Sequence, residues 1–163
     1  MKKILDSGDR TEFESGAVRD MREGKGRCDL LPLDVVCEQY SCPEVRSFIN
    51  TMFKFQNTGD ALYLKFALAT FMYSREWDIN TMMLEVAKHF EEGAKKYGDN
   101  NWRKGIPVRF YIDSALRHYF KFLREDQDEP HDRAVCWNIM CAMWTCNNMP
   151  ELNEYRKSDS DGT

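Results

Sequence analysis

An all-α fold is predicted by three features of the sequence. Strand-like alternation is absent throughout, apolar residues recur at helical spacing from about residue 33 to 146, and the composition is that of one soluble domain. The chain has 163 residues, of which 42% are hydrophobic and 31% charged. A domain of this length hides roughly 70% of the surface its unfolded chain exposes, so it needs neither a disulfide nor a structural metal to fold. The expected organisation is an extended N-terminal arm over 1–29, one helical domain over 30–149 and a loose tail over 150–163.

Each segment has its own reason. Residues 1–29 are polar and rich in Gly and charge (SGAVRDMREGKGRCD), which predicts an arm that docks without much core of its own. Leu33–Tyr40, Pro43–Phe55 and Asp60–Tyr73 carry helical periodicity, the last apolar on nearly every side, and read as helices that bury themselves in a bundle. Met83, Val86, Ala87, Phe90, Ala94 and Tyr97 fall on one helical face, and Gly98-Asp99-Asn100-Asn101 stops that helix with turn chemistry. Glu85, Glu92 and Lys96 are expected on its opposite, solvated face, with Glu91 and Lys95 flanking. A second helix over about 109–124 aligns Ile112, Leu116, Tyr119 and Leu123. Pro130 sits where a first helical turn tolerates it, and a third helix runs from there to about Cys146. After Pro150, ELNEYRKSDSDGT has little to bury.

Charge and cysteine usage exclude several classes. The formal net charge is −4, from 27 acidic and 23 basic side chains, which argues against a long nucleic-acid track held by phosphate contacts. The apolar stretch Ala61 to Tyr73 contains Lys65 and falls short of the ~20 residues that span a bilayer. MKKILDSGDR has no apolar core after its lysines, so a cytoplasmic location is expected. The six cysteines form no C-x-x-C pair and read as reduced, small hydrophobes.

The total conceals an uneven distribution. Between Glu85 and Arg124 nine basic residues face five acids, and the next eight residues, EDQDEPHD, carry five acids and no base. Such a basic zone against an acidic knot suits a phosphate-bearing ligand with Mg²⁺, since carboxylates take the cation and Lys and Arg take phosphate oxygens. Salt-bridged, solvated helix faces are the structural alternative.

On the third helix His131, Asn138 and Thr145 form one row, bordered by Ala134, Cys141 and Ala142, beside a stripe of Trp137, Met140 and Trp144. A buried polar row needs partners, either from other helices or from a bound metal and substrate. Asp128 lies one turn before His131, close enough to act with it. Asp113 and Arg117 are spaced to pair on a helix. His118 points about 140° away from Asp113, so those two do not easily share an ion. Trp102 offers either a stacking surface for a base or a lid over the core.

The blocks SGAVRDMREGKGRCDLLP (15–32), FEEGAKKYGDNNWRKGIP (90–107), DSALRH (113–118) and DEPHDRAVCWN (128–138) together resemble the phage-associated dATP/dGTP diphosphohydrolase family. That family is distantly similar to the all-α MazG-type nucleotide pyrophosphohydrolases. The resemblance implies a MazG-like helical bundle that hydrolyses dGTP or dATP to monophosphate and pyrophosphate, with Mg²⁺ or Mn²⁺, as a homo-oligomer (dimer or tetramer). MazG-type enzymes bind their ions with E-E-x-x-E and E-x-x-D helices. Here Glu91-Glu92 is followed by Lys95 where the third carboxylate would stand, and the second motif falls on Glu125 to Asp128 or Glu129 to Asp132. The family's blocks point to Glu92, Asp113, Asp128, His131 and Asn138 as the polar centre: Glu92 and Asp128 are expected as metal ligands, His131 and Asn138 as ligands or just behind, and Asp113 either as a metal ligand or only as the residue that holds Arg117. Glu91 is expected to orient the attacking water. Lys95, Lys96, Trp102, Arg117, His118 and Asn138 are expected to hold substrate. Residues 41–80 form an extra helical segment that shorter family members lack. Two other readings compete: a nucleotide-sequestering protein without turnover, which the Lys95 replacement suggests, and a structural helical oligomer in which Glu92, Asp128, His131 and Asn138 do not converge.

Overall fold

The structure is a computed structural model and describes Asp6 and residues 8–157. It is all-α in its bulk, with six helices: α1 (Leu33–Cys37), α2 (Pro43–Thr58), α3 (Ala61–Ser74), α4 (Ile79–Tyr97), α5 (Val108–Leu123) and α6 (His131–Asn148). One departure is a small antiparallel hairpin in the arm, β1 (Arg10–Glu12) and β2 (Val18–Asp20), with Thr11 opposite Arg19. Strands of three residues are too short to produce a readable alternation. They are closed by Gly16, whose amide donates to Phe13 O.

Local chemistry sets the helix ends. Pro43 occupies the first turn of α2, and Gly59 closes that helix in the left-handed conformation. Asp60 caps α3 by accepting from Leu62 N–H, and Asp78 caps α4 by accepting from Asn80 and Thr81 N–H. Helix α1 stops at Cys37, short of the expected Tyr40, with Pro43 ending any continuation. None of the helices among the described residues is long and apolar enough to cross a membrane.

The centre of the bundle is the antiparallel pair α5 and α6, in which Tyr111 meets Trp137 and His118 meets His131. The α2–α3 hairpin packs on it: Phe48 stacks on Tyr119 with centroids 3.9 Å apart, and Phe71 meets Tyr119 and Phe122 edge-on. The extra segment is therefore part of this core. All six cysteines are free.

Helix α4 is rotated from its expected setting. Its buried residues are Met82, Val86 and His89, whereas Met83 and Ala87 are exposed. His89 packs on Trp137 at 5.4 Å, and Glu92 receives a 2.5 Å hydrogen bond from Arg133 Nη2. One ring contact and one ion pair with α6 thus outweigh the small apolar gain from Met83 and Ala87, and Glu92 flanks the packed face instead of opposing it.

The arm and the tail both dock. Ala17 is fully buried, Phe13 sits edge-on to Phe110 at 4.8 Å, and the Asn101 side chain pairs with both backbone groups of Val18 at 2.7 and 2.8 Å. The stretch 150–157, expected to be loose, packs on α2: Tyr155 meets Phe55, and the buried Asn153 donates to Gly59 O at 2.8 Å. One aromatic ring and one amide suffice to hold so short a segment. The remainder of the expected tail, 158–163, lies outside the described residues.

Two predictions follow from this packing. At Gly59 (φ +67°) a Cβ would stand 2.5 Å from Arg156 backbone atoms. Gly59→Ala is expected to lower stability in urea unfolding by about 2 kcal/mol, from left-handed strain and displacement of the tail. His89 is held neutral by burial, and secondarily by the cations Arg133, Arg19 and Lys96, with its pKa pushed down from 6.5 to about 3. The unfolded chain therefore binds more protons below pH 6.5. Stability is fully present above that pH and is lost as pH falls towards 3, at up to about 1.4 kcal/mol per unit for this group. Unfolding curves of His89→Gln should fall less steeply over the same window.

Candidate active site

The arm crosses the bundle along one side and leaves a cleft of about 600 Å³. Its walls are residues 18–22 and Lys25 of the arm, the end of α4 with the loop that follows, the α5 face from Phe110 to Lys121, and Trp137 and Asn138 of α6. One wall is aromatic: Trp102 lies 5.5 Å from Phe90 and edge-on to Trp144, while Phe90 is 5.8 Å from Trp137. Trp102 therefore both lines the cleft and covers core.

At the junction of α5 and α6, His118 Nδ1 and His131 Nδ1 face each other at 2.9 Å, and His131 Nε2 lies 2.7 Å from Asp128 Oδ1. The His131 hydrogen bond, followed by Lys121, holds the Asp128 carboxyl down at about 2. An ionised Asp128 accepts from Nε2–H and so fixes the His131 tautomer with its Nδ1 lone pair turned towards His118. Burial, reinforced by His131, pushes His118 well below 6.5 and favours its neutral form. One of its tautomers donates from Nδ1 to His131; the other leaves both Nδ1 lone pairs free for a cation. Potential ligand atoms of His118, Glu129 and His131 all lie within 4.8 Å of one another, as do those of Asp126, Asp128 and His131. Two imidazole nitrogens and a carboxylate make a donor set suited to a divalent transition-metal ion.

Cations come from two directions. From α5, Arg117 donates to Asp113 and to Gly26 O, each at 3.0 Å, and Lys121 reaches Asp128 at 3.2 Å. From the arm, Arg19 Nη2 donates to Asn138 Oδ1 at 2.9 Å, with its guanidinium 5.0 Å from the Tyr111 ring centroid. Arg22 lies 3.9 Å over Phe110 and 3.9 Å from Asp113. Asp113, with no solvent exposure, also accepts from Cys28 N–H at 2.7 Å.

The residues expected from the sequence divide accordingly. His118, Asp128 and His131 come together, while Glu91, Trp102, Arg117, His118 and Asn138 line the cleft. Glu92 and Asp113 stand in neither metal-capable group among the described residues. Glu92 is committed to Arg133, and Asp113 to Arg117 and the arm. Lys95 pairs with Glu91 on the exposed surface at 2.6 Å, and Lys96 approaches Asp6 at 4.0 Å. Asn138 is engaged at both ends of its amide: it accepts from Arg19 and donates to Ala134 O. Sequence reasoning missed Arg19, Arg22 and His89, and it met Glu129 only as half of an alternative motif. The available signal was the 15–32 block, whose arginines carry no helical periodicity to mark them.

A family model described as dATP/dGTP diphosphohydrolase, N-terminal, matches residues 74–155. The search of curated proteins and that of solved structures returned no match. The matched stretch starts at the end of α3 and contains the whole His118, Asp128, Glu129 and His131 cluster, while the arm lies outside it. By this match over half of its length, the chain belongs to the dATP/dGTP diphosphohydrolase N-terminal family.

Proposed function

We propose that the protein hydrolyses purine deoxynucleoside triphosphates, dGTP or dATP, to monophosphate and pyrophosphate in phage nucleotide metabolism in the host cytoplasm. The supporting observation is the meeting of His118, Glu129 and His131, of which His118 and Glu129 line the cleft that also carries Arg117 and Lys121. His118, Glu129 and His131 would hold the divalent ion, with Asp128 orienting His131 from behind. The nitrogen donors favour Mn²⁺ over Mg²⁺, which prefers an all-oxygen shell. Such an ion would supply Lewis acidity, offsetting phosphate charge and easing the loss of a proton from the water whose oxygen attacks phosphorus.

The chain's own groups do the rest. Arg117, held by Asp113, and Lys121, held by Asp128, present positive charge to the phosphates without needing to reorganise. Phe90, Trp102 and Trp137 offer faces for a base and exclude water around it. Glu91 lines the cleft but is paired with Lys95, so it would accept a proton from an incoming water only after releasing that lysine. For the homo-oligomer that the resemblance implies, the exposed apolar residues Leu62, Phe66 and Tyr73 of α3 and Ile79, Met83 and Leu84 of α4 supply a contact surface.

Purified protein with Mn²⁺ or Mg²⁺ and each dNTP, scored for monophosphate and pyrophosphate, tests this reading. Turnover should be greatest with purine substrates and Mn²⁺, and EDTA should abolish it. His131→Ala and His118→Ala should each lower kcat by at least about 100-fold, and Asp128→Asn by about 10- to 100-fold. Glu92→Gln should lower the melting temperature by unpairing Arg133 while leaving kcat within a few-fold. Full activity in His131→Ala, or loss of kcat in a folded Glu92→Gln, would return the metal to the carboxylate helix. Tight nucleotide retention without pyrophosphate release would favour the sequestering alternative.

A further inference from the structure

Buried charges are normally compensated, and this bundle follows the rule at Arg133 with Glu92 and at Arg117 with Asp113. Arg19 breaks it. No carboxylate lies within ion-pair distance of it among the described residues, and its one side-chain hydrogen bond goes to the neutral amide of Asn138. Its Nη1 is sealed from solvent and has no partner among the described residues. Aromatic faces of Tyr111 and Trp137 soften the cost of this charge without neutralising it.

Arg19 is not alone. Arg22 Nη1 and Trp137 Nε1 are also buried donors without a partner among the described residues, and all three residues line the same cleft. The two guanidinium groups lie over successive rings of α5, Tyr111 and Phe110. Three unsatisfied N–H donors, two of them cationic, ask for a ligand that is rich in acceptors and negatively charged. A phosphate group meets both conditions, and an uncharged purine edge meets only the first. The arm sits about two α5 turns from His118, roughly 10 Å by helical rise. That spacing suits an extended phosphate chain with one end near His118 and the other at the arm.

We propose that Arg19 and Arg22 form an anion subsite for the outer phosphates of the nucleotide, which makes the arm part of the binding machinery and not only a strap across the bundle. This rests on the triphosphate reading above, but it assigns work to a segment outside the matched residues 74–155. In this arrangement the anion supplies the counter-charge that Arg19 lacks, so ligand binding and arm docking reinforce each other.

The test uses the full chain, metal-free in EDTA, with inorganic tripolyphosphate as probe, followed by calorimetry and by hydrogen exchange of residues 10–25. Tripolyphosphate should bind, raise the melting temperature and slow exchange in the arm. Arg19→Gln and Arg22→Gln should each weaken binding about 10- to 100-fold, with Arg19→Lys retaining part of it. Arg22 is held only by a ring contact and a 3.9 Å ion pair, so its variant carries the test if Arg19→Gln fails to fold. Absence of tripolyphosphate binding in the wild type, or wild-type affinity in the folded glutamine variants, would overturn the proposal. So would deoxyguanosine binding that is lost in Arg19→Gln while tripolyphosphate binding is kept, because Arg19 would then read the base. The assay contains neither metal nor turnover, so a failure of hydrolysis would sink the catalytic reading and leave this one standing.

Discussion

The contact on which most of the site depends is the carboxylate of Asp113. It has no solvent exposure, and it accepts from the Cys28 backbone N–H at 2.7 Å and from Arg117 at 3.0 Å, with Arg22 at 3.9 Å. A buried carboxylate is tolerated only when it is paired and hydrogen-bonded, and removing one partner of such a pair costs about 3–5 kcal/mol. Asp113 therefore does two jobs at once. It aims Arg117 into the cleft, and it fastens the chain leaving the arm to α5. Asp29 extends the anchor, accepting from Nη2 and Nε of Arg27 at 2.6 and 2.7 Å, while its carbonyl accepts from Gln56 of α2. With each oxygen accepting one hydrogen bond and its charge offset by Arg117 and Arg22, Asp113 is committed to the scaffold and stands in neither metal-capable group among the described residues.

The same logic of commitment distinguishes the carboxylates. Glu92 faces a guanidinium on α6 and joins two helices; Asp128 faces an imidazole and sets its tautomer. A carboxylate neutralised by arginine contributes packing specificity. One that polarises a histidine next to a second histidine and a glutamate contributes a donor set. Sequence spacing alone does not separate these cases, because both kinds of carboxylate occur at helical intervals from other charges.

How much was legible follows from the range of each interaction. Helices over 43–58, 61–74, 108–123 and 131–148 were readable because capping, proline and apolar spacing are local, and the row His131, Asn138 and Thr145 is buried as its periodicity required. The face of α4 was not readable: its setting is decided by Trp137 and Arg133, some forty residues away. Arg19 was illegible for the same reason, since its partner Asn138 is separated from it by 119 positions. The hairpin was hidden by its three-residue strands, and the docking of Tyr155 by the shortness of the segment.

A net charge of −4 and the polyphosphate cleft proposed here are reconciled by where the neutralisation happens. Lys25 meets Asp20, Lys121 meets Asp128, and Arg117 meets Asp113, so these cations reach the cleft already paired on their far sides. Pairing of this kind fixes a side chain in place and lowers the field it projects into bulk water, which is why no broad basic surface results. The field stays where water is excluded, at Nη1 of Arg19 and of Arg22, which have no hydrogen-bond partner among the described residues. A long nucleic acid needs a continuous track of exposed charge. A single triphosphate needs only a few donors held rigidly in a partly dry cleft, and there each donor is worth more than it would be on the surface.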